Sequence, residues 1–178
     1  MNYCSHCGGS LRFDIPSGDD RSRYICDACQ TIFYENPKMV VGCIPEWKDQ
    51  ILLCRRAIEP RYGMWTLPAG FLENGETVSE GAIRETYEEA GTRVEIIAPY
   101  MMLNLSFISQ IYFMFRARMP APDYEAGQES LDVRLFREED IPWKDIAFSA
   151  ISSTLKQYFD DRTQGGRFSF HIGDVQKV

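Results

Sequence analysis

The chain has 178 residues, 44% hydrophobic and 13% aromatic, enough to bury one main domain with a small appendage. A formal net charge of −7 argues against broad contact with nucleic-acid backbones, whose affinity rests on Lys and Arg, but suits a small phosphorylated substrate bridged by metal cations. There is no run of 18 apolar residues, and the opening Met1-Asn2-Tyr3-Cys4 is neither basic nor apolar, so an unanchored, cytoplasmic protein without membrane contact is expected.

Four of the six cysteines fall as Cys4-x2-Cys7 and Cys26-x2-Cys29, with eighteen residues between the pairs. Two such turns can close a tetrahedral Cys4 zinc site, structural because a filled thiolate shell leaves no position for water. His6, inside the first turn, is then a bystander. The alternative of redox thiols lacks the βαβ context that a thioredoxin-like motif requires. A ribbon over residues 1–36 is expected, ending where Asn36-Pro37 favours a turn, with the main domain over 37–178. So small a unit buries little core, and the metal would supply most of its folding free energy. Up to Pro37 three Arg stand against five acidic residues, a poor composition for a nucleic-acid-binding finger.

From Lys38 the pattern turns to strands. "KMVVGCIPE" and "QILLCRRAI" flank the polar turn "WKDQ" and read as a hairpin, with Cys43 and Cys54 as small buried hydrophobes. A helix begins at the capping box Thr77-x-x-Glu80 and ends at Gly91. Along it Ile83, Thr86, Tyr87 and Ala90 form the expected buried stripe, which turns Glu85, Glu88 and Glu89 the other way. "APYMMLNLSFIS" and "QIYFMFRARM" make a second strand pair, and "SLDVRLF" is a further strand. A second helix is expected over about 150–161, with Ile151, Leu155, Tyr158 and Phe159 as its apolar face. Mixed strands with two helices indicate an α/β sandwich.

Glu85, Glu88 and Glu89 share one helix face, where like charges repel by a few tenths of a kcal/mol per pair. Their oxygens are the hard ligands that Mg2+ or Mn2+ prefer, and a divalent cation would remove the repulsion. Arg84 reaches Glu80 and Glu88 at i−4 and i+4 and can hold the cluster in shape. A solvated acidic face is the bland alternative.

The wider segment "GFLENGETVSEGAIRETYEEAGT" holds Gly70, Glu76, Arg84-Glu85, Glu88-Glu89 and Gly91 at the spacing of the Nudix box. It resembles the Nudix hydrolases at all seven fixed positions; Thr86 and Thr92 stand where that family usually has aliphatic residues, and Ala69 where many members have Gly. A cysteine ribbon ahead of such a box is similar to two groups, the NADH pyrophosphatases and a group that includes plastid FAD pyrophosphatases. The first carries a Ser-Gln-Pro-Trp-Pro-Phe-Pro run after the box, and "SFISQIYFMF" here lacks it. "LLCRRAIEPRYGMWTLPAGFLENGE", "GQESLDVRLF", "IPWKDIAFS" and "GRFSFHIG" look like the second.

The resemblance implies a Nudix α/β/α sandwich with an N-terminal zinc ribbon. It also implies a pyrophosphatase using Mg2+ or Mn2+ held by Glu85, Glu88, Glu89 and the carbonyl of Gly70. Glu129 would be the general base, with Glu125 as its competitor, and Glu88, Arg84 and Glu129 the catalytic set. Arg56 matches a substrate-binding position, and its fork suits phosphate. Trp65, Phe107 and Tyr112 could stack on a ring but are read as core. The expected substrate is a small dinucleotide, FAD cleaved to FMN and AMP, or ADP-ribose; NADH is the alternative. A zinc-ribbon binding module and an inactive Nudix scaffold are the non-enzymatic readings. The resemblance leaves a homodimer open.

Overall fold

The computed structural model describes residues 1–177, in two compact units, Met1–Pro37 and the chain from Lys38 onward. In the first unit β1 (Leu11–Asp14), β2 (Arg23–Cys26) and β3 (Ile32–Phe33) form an antiparallel sheet, with a polar connection between the first two strands. The unit buries few apolar side chains. Its surface is tied instead by ion pairs such as Arg12 to Asp27 at 2.7 Å and Arg23 to Asp19 at 3.1 Å.

The second unit is built on a mixed sheet. Its strands are β4 (Lys38–Trp47), β5 (Gln50–Arg56), β6 (Trp65–Thr66), β7 (Ala69–Phe71), β8 (Glu95–Leu105), β9 (Gln110–Arg118), β10 (Ser130–Phe136) and β11 (His171–Asp174). The order is β10-β5-β4-β9-β8-β11, with β6 on β5 and β7 on β4. The expected hairpin of β4 and β5 turns at Lys48-Asp49, Trp47 facing Gln50. Strand β4 also pairs in parallel with β9 and antiparallel with β7, where Val41 faces Gly70.

Alternation along β4 assigns its side chains to two cores. Val40 and Ile44 join one cluster, with Ile151, Leu155, Tyr158 and Phe159 of α2 (Ser149–Thr163); Val41 and Cys43 join the other, with Ala82 and Ala90 of α1 (Val78–Ala90). The sheet thus lies between two helices, an α/β/α sandwich. Strand β11, which pairs in parallel with β8, has no counterpart among the expected elements. It is tied down by His171, whose Nε2 lies 2.8 Å from Asp161 Oδ2, the same oxygen that accepts from the Tyr100 hydroxyl at 3.1 Å. Among the described residues no helix is long and apolar enough to cross a membrane.

Candidate active site

Helix α1 carries the site, and its ends form as the sequence predicts. The Glu80 N–H donates to Thr77 Oγ1 at 3.3 Å and the Thr77 N–H to Glu80 Oε2 at 2.8 Å, while Gly91 caps the far end at φ 60°. The buried face differs from the expected stripe. Ile83 and Tyr87 are exposed, and the inward residues are Gly81, Ala82, Thr86, Glu89 and Ala90. The cause is close packing of the helix's first turns on β4, where Cys43 Sγ lies 3.5 Å from the Ala82 carbonyl and a Cβ on Gly81 would stand 3.0 Å from Val41 Cγ2, so small side chains face the sheet there. Thr86 satisfies its hydroxyl by donating to the Ala82 carbonyl at 2.7 Å.

This rotation turns Glu89 inward rather than away. It is 7% exposed, Glu85 is largely buried, and Glu88 reaches solvent. Burial, reinforced by the charge of Glu85, pushes the Glu89 carboxyl up to about 8 against one hydrogen bond from the Ala69 N–H at 3.3 Å. Burial also raises Glu85. Gly70 lies so close to Glu85 that a Cβ would overlap its carboxylate, which would have to swing from its place beside Arg84.

Arg84 keeps one of its two expected partners, Glu88, and exchanges the other. It does not pair with Glu80, whose carboxylate is spent on the helix cap. It grips Glu76 through two nitrogens at 2.7 and 2.9 Å and reaches Glu85 at 2.7 Å, Glu88 at 3.0 Å and the Phe71 carbonyl at 3.1 Å. The guanidinium holds the Glu76 carboxyl down at about 2. Glu76 was visible in the motif, but its role depends on the loop folding back, which spacing along a helix does not express.

A cavity of about 890 Å³ opens over this face. It is lined by Gly70, Glu85, Glu88 and Glu89, by Glu129 from the loop before β10, and by Arg56 at the end of β5. Negative charge on Glu129 raises both Glu85 and Glu89, so the four carboxylates share one field. Glu125 does not line the cavity; its N–H donates to the Ala90 carbonyl at 2.9 Å. Arg56 is buried, its Nε donates to the Pro60 carbonyl at 3.0 Å and its guanidinium lies 5.0 Å from the Phe148 ring, with no carboxylate partner among the described residues. Trp65 packs in the core as expected, and Tyr112 is buried yet reaches the cavity wall. Phe107 departs from that expectation: it lies in a single 3-10 turn between β8 and β9, exposed, and lines the cavity.

In the first unit the thiols of Cys4, Cys7, Cys26 and Cys29 lie within 4.8 Å of one another. The Cys4–Cys29 and Cys7–Cys26 sulfur separations are 3.7 and 3.5 Å, near the ~3.8 Å that tetrahedral Zn–S bonds of about 2.3 Å require. Backbone N–H groups of His6 and Cys29 donate to Cys4 and Cys26 sulfurs at 3.3 and 3.4 Å. The donor set fits a structural zinc ion.

Known proteins share both parts. A family model for the NUDIX domain matches residues 36–155, and one described as Nudix N-terminal matches residues 2–35. A solved NUDIX hydrolase from Nitrosomonas europaea is 54% identical, with a TM-score of 0.95 over 99% of this chain and 100% of its own. An ADP-ribose pyrophosphatase from Streptococcus suis, at 19% identity and a TM-score of 0.62 over 79% of this chain and 100% of its own, shares the fold. An NAD-capped RNA hydrolase NudC from Photobacterium profundum is 32% identical over 134 residues, 74% of this chain and 46% of its own length. The chain spans about half the length of the curated relatives it matches.

Proposed function

The chain belongs to the Nudix family, and from that premise we propose that it is a metal-dependent pyrophosphohydrolase of a dinucleotide-type substrate. The observation that carries the reading is the meeting of Glu85, Glu88, Glu89 and Glu129 with Arg56 in one cavity. Glu85, Glu88, Glu89 and the Gly70 carbonyl would hold Mg2+ or Mn2+, which neutralises diphosphate charge and polarises phosphorus when bound. The donor chemistry fits, because two of these carboxylates are held above their ordinary range by burial and mutual repulsion that a cation relieves.

The chain's own residues then have distinct tasks. Arg84 fixes the carboxylates by gripping Glu76, Glu85 and Glu88 at once. Arg56, with its charge uncommitted to a carboxylate, presents a guanidinium to a phosphate. Glu129 takes the proton of the water that attacks one phosphorus; the P–O–P bridge breaks and two monophosphates leave. The cysteine cluster would hold Zn2+ as a structural ion.

For the substrate, the name of the curated relatives favours a nicotinamide dinucleotide, which moves NADH ahead of the FAD and ADP-ribose expected from sequence. FAD or ADP-ribose is retained as a second reading because the chain lacks the Ser-Gln-Pro-Trp-Pro-Phe-Pro run. All three carry an ADP half, so stacking and apolar contacts around the other half would discriminate by only about 1–3 kcal/mol. Steady-state kinetics on NADH, FAD, ADP-ribose and an NAD-capped oligonucleotide under one metal condition test this. The highest kcat/KM is expected on NADH. A tenfold preference for FAD or ADP-ribose would reverse the order, and cleavage of none would sink the substrate class.

A further inference from the structure

The loop that delivers Glu129 is built onto the end of α1 that carries Glu88 and Glu89. The Glu125 N–H donates to the Ala90 carbonyl at 2.9 Å and the Gly127 N–H to the Glu89 carbonyl at 3.1 Å. These are among the last-turn carbonyls that a helix leaves without partners of its own. On its other side the loop is closed by the Ser130 N–H on the Gly127 carbonyl at 3.1 Å, and fastened to the end of β5 by the Ala57 N–H on the Glu129 carbonyl at 2.8 Å. The backbone of Glu129 is therefore strung between two fixed points, one on the carboxylate helix and one beside Arg56.

Gly127 permits this approach by having no side chain. A Cβ there would overlap the Glu88 carbonyl oxygen and stand 2.9 Å from the Glu88 carbonyl carbon and 3.3 Å from Glu89 Cα. All three are backbone atoms, so none can swing aside. Its φ lies outside the left-handed region, and proximity alone calls for glycine.

We propose that Gly127 is a positioning residue for hydrolysis: its bare backbone, bonded to the Glu89 carbonyl, sets the distance between Glu129 and the carboxylates of α1. The inference rests on the reading of Glu129 as the base. Gly127 acts only through that side chain. An added methyl must displace the loop by more than about 1 Å, a misplacement of the size that costs ~100-fold when it moves a reacting group.

The test is a double-mutant cycle on the full-length, metal-loaded protein. Gly127→Ala is expected to lower kcat by at least ~10-fold with KM and the Mg2+ requirement within about twofold, and to add less than about threefold to the loss in Glu129→Gln. The same fold-loss in both backgrounds would mean general damage and overturn the proposal, as would a kcat close to the parent's. Near-parent turnover in Glu129→Gln alone would instead remove the base assignment, a result read from that single variant. Should Gly127→Ala fail to fold by circular dichroism, Glu125→Pro, whose ring carbon replaces the N–H bonded to the Ala90 carbonyl and so pushes the loop off the helix end without touching Glu88, is expected to give the same pattern, and a parent-like kcat there would overturn the proposal.

Discussion

The two units use ionisable side chains with opposite effects on folding. Among the described residues, the first unit buries little apolar surface beyond Cys4, Pro16, Ile25 and Cys26, so its four clustered thiols stand where a core would be. The second has two apolar clusters, one on each face of its sheet, and can hold Glu89 buried with a carboxyl near 8, a state that disfavours the native fold once charged. Thiols that would bind zinc would therefore make the small unit's fold, while the carboxylates proposed to bind a cation strain the large unit's fold and need its core to offset them. A metal-binding residue is thus stabilising or destabilising according to how much apolar packing surrounds it.

The largest expected effect attacks the first half of that contrast. Purified, unchelated protein should hold one zinc per chain, and Cys26→Ser should abolish it together with the NMR dispersion of residues 1–37, since structural zinc contributes on the order of 10 kcal/mol. Less than half an equivalent of zinc in fresh protein would remove the ribbon from the comparison. Next comes Glu89→Gln, expected to lower kcat more than the roughly 10–100-fold that follows loss of a group merely supporting a ligand, with the fold intact. Turnover near the parent value would show that the buried carboxylate is strain without function.

A smaller effect follows pH. Because the Glu89 carboxyl is raised from 4.5 to about 8, the native state of chelator-treated protein holds this proton more tightly than the unfolded chain. Its contribution to stability is complete below about 4.5 and is lost as pH rises through about 8, at up to ~1.4 kcal/mol per unit. Mg2+ held as proposed would compete for the same oxygen, so its affinity measured by calorimetry should climb with pH across that window and level off above it. A flat profile would contradict the shift. Smallest is Thr77→Ala, which breaks the capping box and should cost about 1 kcal/mol, or roughly 2–4 °C in Tm, without changing kcat.

What was legible in the sequence was whatever chemistry repeats at fixed local spacing. The two CxxC pairs, the Thr77/Glu80 cap, the Gly91 stop and the apolar face of α2 are each set by residues within a few positions of one another. What eluded it depended on a second segment. The inward face of α1 was set by how closely β4 approaches, which favoured Ala82 over the more hydrophobic Ile83 and Tyr87. The partner of Arg84 was Glu76 because Glu80 had already been taken by the cap. The separation of Glu129 from Glu125 came from a loop bonded backward onto a helix, and Phe107 reached the cavity by leaving its strand in a 3-10 turn.

Strand β4 belongs to both cores at once, and this governs the order in which the molecule can open. No fluctuation that peels away only α1 or only α2 frees its amides, which are held between β9 on one side and β5 and β7 on the other. Hydrogen exchange at Val40 through Ile44 should therefore proceed only through global unfolding, while amides of the cavity loops exchange by small local openings. Because Val41 is the register partner of Gly70, the floor of the cavity is fastened to the strand expected to exchange slowest. The walls can breathe over a base that keeps its shape for as long as the chain stays folded.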